Sequence, residues 1–160
     1  MKKNLTNAFA LLCAMVFALN VKAGSDEQTY RSDNDRIRMN LSGEWESTTA
    51  GILSMTYWQL NSKESSTVKI RIYLNEEAER FTNMDAYYAQ DATVDKVKVN
   101  GYEGEQFHTT VSDEQGIRER TILMLDVNGG KARIEMLCDP AEFNEVQAWF
   151  FQAVQTLSFN

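Results

Sequence analysis

The sequence predicts an α+β protein in which an antiparallel sheet of about six strands carries packed helices. Three observations support this prediction. Six runs are strand candidates, identified by alternating apolar and polar residues or by the turn residues that flank them. Two other runs place apolar residues three or four positions apart, as in a helix. Their order is β-β-β-α-β-β-β-α, which favours an antiparallel sheet over one built from βαβ units.

The strand predictions rest on alternation and on the turns between the runs. Alternation is clearest over 67–74, where Ile70 and Ile72 point to one side and Arg71 and Tyr73 to the other. Asn128-Gly129-Gly130 predicts a hairpin, because Asn and Gly tolerate a positive φ. The predicted strands cover 36–41, 52–60, 67–74, 97–111 with a break at Asn100-Gly101, 120–127 and 131–139.

Two helices are predicted from helical spacing and from capping residues. The first covers 82–92, which contains an apolar stripe and begins with Thr82. The second covers 140–156. Asp139, Pro140 and Glu142 are the residue types favoured at the N-cap, N1 and N3 positions of a helix.

The first 23 residues have the features of a secretory signal peptide. Lys2 and Lys3 precede an apolar run over 8–19, and a cleavage site follows before Gly24. Twelve apolar residues are too few to span a bilayer about 30 Å thick, so we expect no membrane anchor after cleavage. We therefore expect a periplasmic or secreted protein, with a flexible leader over 24–35 and a single domain over 36–160.

The composition excludes several classes of function. The 160-residue chain has 16 Lys+Arg and 23 Asp+Glu, a net charge of −7. Loss of residues 1–23 removes three lysines and no acidic residue, so the remaining 137 residues carry a net charge of −10. This balance argues against a nucleic-acid partner. One His and two Cys also exclude zinc sites built from several such ligands.

Four segments carry a resemblance to a known family. They are the opening strand and turn that end at Trp45, the run 81–88, the run 99–104 and the terminal Leu157-Ser158-Phe159. In their order and spacing they resemble the Mog1/PsbP-like superfamily, and within it the bacterial DcrB-like and PsbP-like secreted proteins. The resemblance covers 36–159 and implies an α/β/α sandwich. A lipocalin-like barrel is the rival fold, because Gly43-Glu44-Trp45 also suits its start, but two helices fit a barrel poorly.

The resemblance implies a non-enzymatic accessory or binding protein of the bacterial envelope, because the family shares no catalytic set. Its partner would be a protein or an envelope component. A carrier of a small apolar ligand or lipid is the alternative, and a hydrolase that uses His108 is the lowest-ranked one. No catalytic residue, cofactor or metal ligand is predicted. A weak possibility of calcium or manganese follows from acidic clusters and from the resemblance to PsbP.

Aromatic residues supply most of the candidate binding residues. Tyr57 is adjacent to Trp58, and Tyr87 to Tyr88, so the members of each pair cannot all face one core. Exposed aromatic rings often serve binding. The candidate binding residues are Tyr57, Tyr73, Tyr87 and His108. Cys138 shares the parity of Ile134 and Met136, which predicts a buried, inert thiol.

Overall fold

The computed structural model describes residues 27–52, 55–80, 94–114 and 116–160. In these ranges it has α+β architecture, as predicted. The described strands, in chain order, are β1 (Gln28–Arg31), β2 (Ile37–Leu41), β3 (Trp45–Ile52), β4 (Met55–Ser62), β5 (Lys69–Leu74), β6 (Val94–Val99), β7 (Tyr102–Asp113), β8 (Gly116–Val127), β9 (Gly130–Cys138) and β10 (Ser158–Phe159).

The strands form one large and one small sheet, and every described pairing is antiparallel. The seven-stranded sheet has the order β3-β4-β5-β9-β8-β7-β6, and the small sheet has the order β1-β2-β10. The large sheet is open, with β3 and β6 at its edges, so the rival barrel fold is wrong. The described strands exceed the predicted six because β1, β3 and β10 lack clear alternation and the break at 100–101 separates β6 from β7.

The small sheet corrects the prediction of a flexible leader over 24–35. Gln28–Arg31 of that segment forms β1, which pairs with β2 along its length. The Tyr30 hydroxyl accepts a hydrogen bond from the backbone N–H of Trp45 at 3.1 Å. The side chains of β1 are mostly polar, so the strand has no apolar periodicity from which it could be predicted. Backbone pairing with β2 and the hydrogen bond at Tyr30 hold it in place.

The C-terminal helix closes the core on one face of the large sheet. It spans Phe143–Ala153 and continues as a 3₁₀ turn over Val154–Thr156, so it starts three residues after the predicted Pro140. The Asp139 carboxylate accepts from the N–H of Ala141 and caps a turn rather than the helix. The Glu142 carboxylate accepts from the Ser65 hydroxyl at 3.1 Å and makes no cap hydrogen bond.

Helical structure is also present at 76–80, directly after β5. The helix predicted over 82–92 lies outside the described residues. In the part of the chain that the structure describes, no helix is both long enough and apolar enough to cross a membrane.

Strand β9 lies near the middle of the large sheet and is buried on both faces. All seven residues from Ala132 to Cys138 are buried. Alternate residues, including Ile134 and Met136, join the apolar core beneath the C-terminal helix, together with Phe150. The residues between them, including Arg133 and Glu135, point to the opposite face. We call these the helix face and the second face of the sheet.

The thiol of Cys138 is predicted to be unreactive in the folded protein. Cys138 is free and 0% exposed, and burial raises the pKa of its thiol to about 11. In the form that begins at Gly24, a thiol reagent at pH 8 should modify Cys138 only after denaturation. A Val94→Cys variant is the control, because Val94 is 55% exposed and a thiol there should react at once. Rapid native modification of Cys138 would contradict the prediction.

Asp35 is predicted to stabilise the fold in a pH-dependent way. Hydrogen bonds from Arg38, then from Arg31, hold the pKa of the Asp35 carboxyl below its usual range. Its contribution is therefore present above about pH 4 and is lost as the pH falls through its folded-state pKa. Asp35→Asn should lower the free energy of unfolding at pH 7, and urea titrations should show this loss shrinking towards pH 2.5. Asp95→Asn, at an exposed site, is the control. A loss that is the same at every pH would refute the assignment.

Candidate functional site

The second face of the large sheet carries a cluster of charged and aromatic side chains. We call it the arginine–tyrosine cluster. Its members are Tyr57, Gln59, Arg71, Tyr73, Arg120, Arg133 and Glu135.

Register across adjacent strands brings the cluster together. Arg71 of β5 lies opposite Glu135 of β9, and Tyr73 lies opposite Arg133. Directly opposed residues of an antiparallel pair have Cβ atoms about 5 Å apart, so their side chains meet. On the other side of β9, Arg120 of β8 lies opposite Leu137, one position along the same face from Glu135.

Glu135 is the shared counter-ion of three arginines. Its Oε2 accepts a hydrogen bond from Nη2 of Arg133 at 3.3 Å. Its Oε1 lies 3.8 Å from Nη1 of Arg120 and 4.0 Å from Nη1 of Arg71. The Glu135 side chain is 4% exposed and that of Arg133 is 0% exposed. A carboxylate buried to this degree needs such partners, because removing a charge from water costs several kcal/mol.

Two tyrosine rings extend the cluster. The ring centroids of Tyr57 and Tyr73 are 5.0 Å apart at an interplanar angle of 40°. Cζ of Arg71 lies 5.5 Å from the Tyr57 centroid, and Cζ of Arg133 lies 5.9 Å from the Tyr73 centroid. These are cation–π distances. Burial, and next the charge of Glu135, raise the pKa of the Tyr73 phenol well above its usual range, so the phenol stays neutral.

Exposure increases across the cluster from β9 towards β4. Arg133 and Tyr73 are buried, whereas Tyr57 and Gln59 are half-buried and the Arg71 side chain is 29% exposed. Nε of Arg71 donates to Oε1 of Gln59 at 2.9 Å. The cluster thus has a buried floor and a partly exposed rim, which consists of Tyr57, Gln59 and Arg71.

This arrangement is suited to binding. A guanidinium presents planar donors that match the geometry of a carboxylate, and a neighbouring ring adds a flat apolar surface. Tyrosine and arginine are also residue types enriched in protein interfaces. Neighbouring side chains hold the Arg71 guanidinium and the Tyr57 ring, so little side-chain entropy is lost on binding.

The structure unites two of the four candidate binding residues. Tyr57 and Tyr73 belong to the cluster, but Tyr73 is 1% exposed and serves in its floor, contrary to the expectation of a surface ring. Its ring packs against Tyr57 and Arg133 within the cluster. Tyr87 lies outside the described residues.

His108 lies apart from the cluster, on the helix face. Its Nε2 is 2.7 Å from Oε2 of Glu119, and its ring stacks on Phe143, with centroids 4.4 Å apart. Phe143 is the first residue of the C-terminal helix. Oγ1 of Thr110 donates to the same Glu119 oxygen at 3.3 Å. The described contacts of His108 thus join the β7–β8 hairpin to the start of that helix.

Sequence reasoning missed the charged members of the cluster. Alternation placed Arg71, Arg133 and Glu135 opposite the apolar residues of their strands, which is correct, but implied solvent exposure. The available signal was that adjacent strands carry opposite charges at matching positions of one face. The expectation of no cofactor, with calcium or manganese as the weaker alternative, stays a prediction. Within the described ranges, no group of three or more His, Cys, Asp or Glu side chains could hold a metal ion.

Comparison with known proteins identifies the fold. No protein-family model and no curated protein sequence matches the chain. Among solved structures, CyanoP, the cyanobacterial PsbP of Synechocystis sp. PCC 6803, matches with a TM-score of 0.60 and 10% identity, over 89% of this chain and 98% of CyanoP. The Ran-binding protein Mog1p of Saccharomyces cerevisiae matches with a TM-score of 0.58 and 11% identity, over 85% of this chain and 96% of Mog1p.

A protein of Bacteroides thetaiotaomicron VPI-5482 also matches, with a TM-score of 0.58 and 11% identity. The match covers 83% of this chain and 48% of the other, so this chain spans about half the length of that protein. At these identities the likeness shows the fold alone. The Mog1/PsbP-like fold implied by the resemblance is confirmed.

Glu135 is predicted to be essential for stability. Glu135→Gln removes the charge that the three arginines share and leaves buried cations without it, so the free energy of unfolding should fall by about 3 kcal/mol. Urea denaturation followed by circular dichroism measures this loss. Glu46→Gln, at an exposed position of β3, is the matched control and should change stability by less than about 0.5 kcal/mol. Equal stability of the two variants would show that the cluster does not depend on Glu135.

Proposed function

We propose that this chain is an exported, non-enzymatic accessory or binding protein of the bacterial envelope that acts by contact with a protein. The observation that carries the proposal is the partly exposed rim, in which Tyr57 and Arg71 are held by neighbouring side chains. The fold is compatible with such a role, since Mog1p, which shares it, is a Ran-binding protein.

The envelope location in this proposal is supported by the sequence of residues 1–23. A basic start, an apolar run over 8–19 and a cleavage site before Gly24 are typical of export. The acidic charge of the remaining chain also disfavours a nucleic-acid partner. The carrier and hydrolase alternatives stay predictions, and the described contacts of His108 are a carboxylate and a phenylalanine ring.

Export is tested by fractionation of a Gram-negative bacterium that expresses the full chain. We expect the protein in the periplasm or medium, with Gly24 as its N-terminal residue on Edman sequencing. A variant in which Leu11 and Leu12 are replaced by arginine interrupts the apolar run and should remain in the cytoplasm uncleaved. Wild-type protein that keeps residues 1–23 in the cytoplasm would exclude an exported function.

Protein binding through the rim is tested by site-specific photo-crosslinking in the native envelope. A photoreactive amino acid replaces Tyr57 in one variant and Val94 in the other. Val94 is the control, because it is 55% exposed and lies on β6, at the opposite edge of the sheet from the rim. We expect a protein adduct of defined mass from position 57 that is absent from position 94. Absence of an adduct at position 57, or equal adducts at both positions, would contradict the proposal.

A further inference from the structure

We propose that Arg71, together with the ring of Tyr57, is the docking point for a carboxylate on an acidic segment of the partner protein. This inference rests on the proposed function, since it assumes that the partner is a protein. It adds the chemistry that the partner must present and the side chain that receives it.

The first step of the argument is that Arg71 is held in one position. It lies on β5, between β4 and β9, where Nε donates to Gln59 and the guanidinium lies over the Tyr57 ring. Gln59 is itself oriented, because its Nε2 donates to Oδ1 of Asn61 at 3.0 Å. The planar guanidinium is therefore organised before any partner arrives.

The second step is that Arg71 retains donors for a ligand. Within the described ranges, its one hydrogen bond as a donor runs from Nε to Gln59. Nη1 lies 4.0 Å from Oε1 of Glu135, which is beyond hydrogen-bond distance. The side chain is 29% exposed, so the terminal nitrogens can be reached from solvent. Two donors at the end of a planar fork suit the two oxygens of a carboxylate.

The third step is that Arg71 is only partly neutralised. Glu135 is shared with Arg120 and Arg133, both closer to it than Arg71 is. Because the attraction between charges falls with distance, Arg71 receives the smallest share of that negative charge. The Arg71 side chain is 29% exposed, so water and salt screen its field less than that of a fully exposed arginine. An anion is the ligand that this field attracts.

The fourth step identifies the anion as a protein carboxylate rather than a phosphate or a lipid surface. Anionic membranes attract proteins through several exposed cations, whereas this rim presents one arginine on a chain whose net charge is −10 after the loss of residues 1–23. The half-buried Tyr57 ring beside Arg71 offers an apolar contact to the residue next to the carboxylate. A peptide that carries a glutamate between aromatic residues supplies both groups.

The experiment is an NMR titration of the ¹⁵N-labelled protein, from Gly24 to Asn160, with acetyl-Phe-Glu-Phe-amide. Acetyl-Phe-Gln-Phe-amide has the same shape without the charge and is the matched control peptide. We expect the glutamate peptide to shift the Nε–Hε resonance of Arg71 and to bind about tenfold more tightly than the glutamine peptide. Sodium chloride should weaken binding of the glutamate peptide alone.

Variants then test whether binding of the glutamate peptide depends on Arg71 itself or on positive charge in general. Arg71→Gln should lower the affinity for the glutamate peptide about tenfold, as measured on backbone resonances of β4 and β5. Arg71→Lys keeps the charge and removes the planar fork, so it should restore only part of the affinity. Arg36→Gln makes the same change of charge at an exposed arginine directly before β2 and should leave binding within twofold. Unfolding curves confirm that each variant is folded, and the wild-type Arg71 resonance provides a measurement that needs no variant.

Three outcomes would overturn the inference. One is equal affinity for the two peptides, and another is wild-type affinity in Arg71→Gln. The third is binding to phosphatidylglycerol vesicles, or shifts of Arg71 with inorganic phosphate, without binding of the glutamate peptide. If any of these outcomes is found together with a photo-crosslinked adduct at position 57, the proposed protein-binding function is retained. Only the inference that Arg71 binds a carboxylate is then wrong. If the glutamate peptide binds but no adduct forms at position 57, the proposed protein-binding function is contradicted instead.

Discussion

Burial of the central strand β9 on both faces is the constraint on which the rest of the molecule depends. Ala132–Cys138 has no exposed residue, so both of its rows of side chains must find partners inside the protein. The apolar row meets this requirement by packing beneath the C-terminal helix. The other row contains Arg133 and Glu135, whose charges must be paired because an isolated buried charge costs several kcal/mol. The ion pair between them answers this need within one strand, and the adjacent strands complete it.

The same pairing links the fold to the candidate function. Glu135 lies within 4.0 Å of Arg71 from β5 and of Arg120 from β8, while the rings of Tyr57 and Tyr73 lie against Arg71 and Arg133. The result is a gradient across neighbouring strands, from a floor without solvent to a rim where Arg71 is 29% exposed. A feature that stabilises the centre of the sheet therefore also holds a charged group rigidly at its surface. Rigidity of this kind lowers the entropic cost of binding.

A strand or helix could be predicted from the sequence when its own residues carry the pattern that stabilises it. β5 and β9 were predicted from alternation, and β8 from its position before the Asn128-Gly129-Gly130 turn. β3 was missed, because its sequence WESTTAGI has no apolar row and edge strands are half-exposed. β1 was missed for the same reason. The C-terminal helix was predicted, yet Pro140 precedes its start, because the carboxylates that could cap it bind Ala141 and Ser65.

By itself the sequence determined the α+β class, the hairpin at Asn128-Gly129-Gly130 and the face of its strand on which each side chain lies. These are local properties of period and turn chemistry. Only the tertiary structure decided which faces are covered. The order β3-β4-β5-β9-β8-β7-β6 joins strands far apart in the chain, and it places β9 inside the sheet and β4 near its edge. In that order Tyr73 lies on β5 beside β9 and is buried, whereas Tyr57 lies on β4 near the edge and is half-buried. Two tyrosines on the same face of the sheet therefore occupy the floor and the rim of the cluster. Burial is a property of the assembled layers, so no local pattern contains it.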